Sequence, residues 1–147
     1  MDIEDSLEMD LSSGIAAFEA KHFSRAIQLL SPQAESGNME AQYRMAIMAQ
    51  NGLGMVENPE LALRYMRGAA EAGLGLAQHG LGFMYLEGEC TEKDPEEAIR
   101  WFEAAAKQGL VGSMTTLAMM LEQGNGVSAD PERARYWYKK AGFDGFS

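Results

Sequence analysis

The segments "ENPELALRYMRGAAEAG", "KDPEEAIRWFEAAAKQG" and "ADPERARYWYKKAGFDG" begin at residues 57, 93 and 129, a constant spacing of 36. A fixed period of this length marks stacked supersecondary units, because one such unit cannot bury its apolar face alone. The register holds in many columns without a gap. Ala41 aligns with Ala77 and Ser113, Met48 with Met84 and Met120, and Gly52 with Gly88 and Gly124. Pro59, Pro95 and Pro131 share a column, as do Ala62, Ala98 and Ala134, and Tyr65, Trp101 and Trp137.

Each unit divides into two helices. The first is expected over 41–50, 77–87 and 113–123, and in the middle copy Ala77, Leu81, Met84, Tyr85 and Gly88 form one stripe at helical spacing. A glycine-bearing turn follows each. The second helix then opens on Asn58, Asp94 or Asp130 as cap, with proline in its first turn and a glutamate behind it. Gly73 and Gly109 supply the left-handed residue that ends many helices. The pairs Ala69–Ala70 and Ala105–Ala106, with Gly82, permit close backbone approach, and Trp101 is expected to be a pillar of the core.

The N-terminal segment is a diverged first unit. Leu7, Leu11, Ile15 and Phe18 make one stripe ending near Lys21, and Pro32 is expected to kink or break the helix after it. Phe143 and Phe146 are expected to fold back over the last exposed face. The pattern predicts an all-α chain, an α/α right-handed solenoid of four helix pairs. Its units are 1–37 (a capping hairpin), 38–73, 74–109 and 110–147.

These motifs resemble the Sel1-like repeat family, relatives of tetratricopeptide repeats. "AQYRMA", "NGLGMV" and "ALRYMRGAA" carry the likeness in one copy, and "AQHGLGFMYLEGEC" with "EAIRWFEAAAKQG" in the next. "GNGV" with "RARYWYKKA" carries it in the third, and "SSGIAAFEAKHFSRAIQLL" is similar to a plain tetratricopeptide hairpin. The resemblance implies a solenoid whose first helices build a concave, protein-binding face. It also implies scaffold or adaptor roles in bacteria and eukaryotes, and it does not imply a catalytic residue. One departure is Cys90, which stands where the other turns keep Gly54 and Gly126. Cysteine-rich relatives staple each repeat with a disulfide, which a chain with one cysteine cannot do within itself.

Composition narrows the partners. A net charge of -10, from 22 acids and 12 bases, argues against nucleic acid or anionic membrane, both of which need a positive footprint. "MDIEDSLEMDLSSG" is neither a secretory signal nor a membrane span, so a cytoplasmic location is expected. His22 and His79 are the only histidines, and no metal-binding or phosphate-binding motif accompanies them. The Met48–Met84–Met120 column follows the apolar stripe, which favours core packing over copper ligation. Three glutamates near Cys90 disfavour an activated thiolate. No cofactor, metal or catalysis is expected.

Opposite the core stripe of each first helix lies a face that packing does not require to be apolar. A helical wheel puts Tyr43, Ile47 and Gln50 there in one unit, His79, Phe83 and Leu86 in the next, and Thr115, Met119 and Glu122 in the third. Exposed apolar side chains in such an array mark an interaction site. The expected partner is a basic protein or peptide, and Phe83→Glu is expected to abolish its capture with little change in thermal stability. Within this class the alternative is an immunity protein that blocks a secreted toxin. A small-ligand or hydrolase-like role is suggested only by the cysteine-rich relatives. Weak self-association through the C-terminal repeat is a further expectation.

Overall fold

The computed structural model describes residues 2–143, so Phe146 and its expected contact lie outside the described residues. Eight helices follow in order: α1 (Ile3–Glu19), α2 (Phe23–Glu35), α3 (Met39–Asn51), α4 (Pro59–Glu71), α5 (Gly75–Glu87), α6 (Pro95–Lys107), α7 (Val111–Gln123) and α8 (Pro131–Lys140). None of the described residues is in a strand. The chain divides into two compact units, Met1–Leu74 and Gly75–Ser147. Hairpins α1–α2 and α3–α4 form the first, and α5–α6 and α7–α8 the second.

Short polar side chains set where helices begin. The second helices open with proline, and Oδ1 of Asn58, Asp94 and Asp130 accepts the N–H of Leu61, Glu97 and Arg133 at 3.1, 3.2 and 3.2 Å. Asn38 does the same for Ala41 at 2.9 Å, so α3 starts two residues before the apolar spacing alone indicates. These bonds satisfy backbone donors that a helix leaves unpaired. Asp94→Ala should therefore lower stability by about 1 kcal/mol. Asp94→Asn should retain most of it, as read by chemical denaturation followed by circular dichroism.

Helix ends are equally uniform. Gly37, Gly73, Gly109 and Gly142 all take φ between 96° and 102°. The next residue, Asn38, Leu74, Leu110 or Phe143, donates its N–H to the carbonyl five residues earlier. That pattern closes the second helix of every hairpin with a left-handed glycine.

The long turns close in a repeated way too. The N–H groups of Asn58, Asp94 and Asp130 each reach back 2.8 Å to a carbonyl of the preceding first helix, on Ala49, Tyr85 and Leu121. Two of these turns lie on the start of the second helix before them. A Cβ on Gly54 would stand 2.7 Å from Cβ of Phe23, and one on Gly126 would stand 2.5 Å from Cγ of Pro95.

The buried residues follow the repeat columns. Met48, Met84 and Met120 are all buried, as the packing reading requires. The core ring of the middle copy is Phe102, fully buried, and not Trp101, which is half-buried. Gly82 makes room for that ring: a Cβ there would meet Phe102 carbons at 2.8, 2.9 and 3.0 Å. Pro32 does not break its helix, because α2 continues to Glu35. Proline so near the C-terminus forfeits one backbone bond, to Gln28, whose residue is exposed to water. The α1 stripe is covered less than expected, with Leu7 exposed and Leu11, Ile15 and Phe18 half-buried. Phe143 meets Tyr138 edge-on at 6.0 Å yet stays exposed.

Candidate functional site

The nine residues expected on the first-helix faces are all half-buried or exposed. On α3, Tyr43, Ile47 and Gln50 are half-buried. The Arg44 guanidinium lies 5.9 Å from the centre of the Tyr43 ring and bonds Glu40 at 2.6 Å. Burial raises the Tyr43 phenol pKa, with Arg44 opposing and Glu40 adding to the shift.

In the second unit, His79, Phe83 and Leu86 are half-buried on α5. His79 and Phe83 join Phe102 of α6 in a cluster of three rings. Centroids are 4.9 Å apart for His79–Phe83, 5.6 Å for His79–Phe102 and 5.0 Å for Phe83–Phe102, all edge-on. Such contacts add about 0.5–1.5 kcal/mol per pair beyond area burial. The fully buried Ser113 of α7 completes the cluster, with its Oγ 2.6 Å from Nδ1 of His79. Leu86 lines a separate hollow with Glu87, Lys93, Pro95, Asn125 and Gly126.

On α7, Thr115 turns its hydroxyl to the carbonyl of Val111 at 3.0 Å, and Met119 and Val111 are exposed apolar side chains of that face. Glu122 accepts a hydrogen bond from Tyr138, whose pKa is raised by burial and by this carboxylate. Glu122 therefore points partly toward α8.

Ser113 was not among the expected site residues. Its signal was present, since serine stands in the column of Ala41 and Ala77. The ring contact also changes the expectation for Phe83→Glu, which would press a carboxylate against Phe102 and destabilise the unit.

The bases, unlike the acids, are segregated between the helices of each hairpin, for the second helices also carry Glu35, Glu60, Glu71, Glu96, Glu97, Glu103 and Glu132. Arg44 is the one base on the first helices, and it is paired with Glu40. The first helices otherwise carry acids: five on α1, then Glu40, Glu87 and Glu122. Arg25, Arg64, Arg67, Arg100, Lys107, Arg133, Arg135, Lys139 and Lys140 all lie on second helices. Several are already paired, including Arg64 with Glu35 and Arg133 with Glu103.

Burial lowers the pKa of His79 from its ordinary 6.5. The unfolded chain therefore binds the proton first as pH falls, so stability is lost from about pH 6.5 downward until the folded value is reached. Denaturation midpoints across that range should slope for the wild type and flatten in His79→Gln. Among the described residues, no group of three His, Cys, Asp or Glu side chains could hold a metal ion. No helix there is long and apolar enough to cross a membrane.

Hairpins with these caps, turns and faces define a helical-repeat protein. The Sel1 repeat model matches residues 40–74, 75–110 and 112–142, so the chain belongs to the Sel1 repeat family, an all-α solenoid class. A Sel1 repeat protein from Oxalobacter formigenes is similar over 88% of this chain at 29% identity, with a TM-score of 0.82. A protective antigen present in uropathogenic Escherichia coli strains, displaying an SLR fold, is similar over 97% at 29% identity, with a TM-score of 0.80. The chain spans 53% of the first and 33% of the second. No curated protein matches it. Sel1 repeats are generally protein-interaction modules on a typically non-catalytic fold.

Proposed function

We propose that the protein is an adaptor or scaffold in which the first-helix face of the second unit takes up a basic segment of another protein, with that segment's apolar side chains against Phe83 and Met119. The observation that carries this reading is the placement of the bases: accessible apolar residues lie on helices that hold acids and a single, paired base, while nine of the twelve bases lie on second helices. Charge complementarity of this kind guides encounter and excludes wrong partners, while the apolar contacts supply most of the affinity. A reducing, cytoplasmic setting belongs to the same reading, on the strength of the single cysteine.

Met119→Glu is the cleaner probe than Phe83→Glu, because Met119 is 45% exposed. Lysate capture with the wild type and with Met119→Glu should differ in a basic protein that cross-links to α5 or α7 and is released by raised salt. Equal retention by both chains, or cross-links confined to second helices, would overturn the reading. Melting curves of Met119→Glu should match the wild type.

A further inference from the structure

His79 joins the exposed edge of the α5 face to the interior. What surrounds its ring is apolar or neutral on every side the second unit provides. Phe83 comes from its own helix, Phe102 from α6, and Ser113 with Gly112 from α7. A Cβ on Gly112 would stand 3.6 Å from Cε1 of His79, so the α7 backbone itself lies against the ring. No carboxylate or base contributes to the lowered proton affinity of His79, and burial is the sole cause.

We infer that His79 is a proton-operated latch on this face: neutral, it covers one side of Phe83 in the ring cluster, and protonated, it leaves the cluster and uncovers Phe83, which keeps its edge contact with Phe102. The inference rests on the interaction face proposed above and assigns it a means of regulation. One nitrogen of the neutral ring, Nδ1, is hydrogen-bonded to Ser113 Oγ. An imidazolium could still bond Ser113 through Nδ1–H, but the hydroxyl cannot replace the hydration of a full charge. The half-exposed side of the ring offers that water, so the charged ring turns outward and the edge contacts with Phe83 and Phe102 are lost. A partner lying over this face would bury His79 further and depress its proton affinity again. Its affinity would then fall by up to about tenfold per pH unit across the window between the free and bound values.

The test uses the free chain and needs no partner. Aromatic carbon–proton NMR spectra are recorded from about pH 8 to about pH 5, with circular dichroism confirming that the helices persist. His79 and Phe83 signals should move together, with one midpoint below 6.5, and Phe83 should be flat in His79→Phe. Should His79→Phe fail to fold, His79→Gln keeps a neutral partner for Ser113 and should give the same flat response. Phe83 signals that stay fixed while His79 titrates would overturn the latch, as would a His79 midpoint at or above 6.5. Failure to capture a basic partner would overturn the proposed function and leave this result standing. A flat Phe83 with successful capture would do the reverse.

Discussion

Phe102→Ala should cost the second unit about 3–5 kcal/mol, the largest loss expected from any single truncation in this chain. The ring is fully buried, and it is the inner member of the cluster formed with His79 and Phe83. Truncation removes its transfer free energy and leaves a cavity beside Gly82, which has no side chain to fill it. It also withdraws the wall against which Phe83 rests. Chemical denaturation should show the loss, and the Phe83 and His79 signals should lose their shared pH response. Trp101→Ala at the adjacent position should cost less, because Trp101 is only half-buried. Equal costs for the two would contradict this assignment of the core.

Gly82→Ala should destabilise the same unit by about 1–3 kcal/mol, the usual range for overpacking. Two effects compete here. Alanine is the better helix former by about 0.5–1 kcal/mol, which favours the variant. Against that, the new Cβ would meet the Phe102 ring at 2.8–3.0 Å, closer than real contacts allow. The ring is enclosed and cannot yield, so steric conflict wins. Gly82→Ala combined with Phe102→Leu should cost less than the two changes summed, since the smaller side chain makes room for the methyl. A stabilising Gly82→Ala would show that the ring has space to move.

Much of the fold was legible because the repeat states it several times. Caps at Asn58, Asp94 and Asp130 and the prolines behind them are local signals, and each appears where the spacing puts it. The misjudgements concern tertiary context. Trp101 and Phe102 are adjacent in a pattern where either could face inward, and only packing against Gly82 shows which does. Pro32 reads as a breaker until its nearness to the helix end reduces the loss to one backbone bond. The face residues could be listed from a wheel, but their partners could not. His79 and Ser113 are 34 residues apart and meet because α7 packs beside the α5–α6 hairpin. A hydroxyl in an alanine column was the only trace of that contact.

The turns fix more than the path of the chain. Each long turn is pinned back to its own first helix by the N–H of the cap residue, and two of them also lie against the preceding second helix, at Phe23 and at Pro95. The short junctions are held to a single glycine by the bonds that close the helices. Neither kind of connection can lengthen without losing a contact, which accounts for three copies aligned without a gap. Diversification in such a chain must proceed by substitution on its faces, since its loops offer no room to grow. An inserted residue in either of those two turns would lose the contact with the preceding second helix or displace the helix that follows, α4 or α8, so the connectors serve the molecule as its ruler.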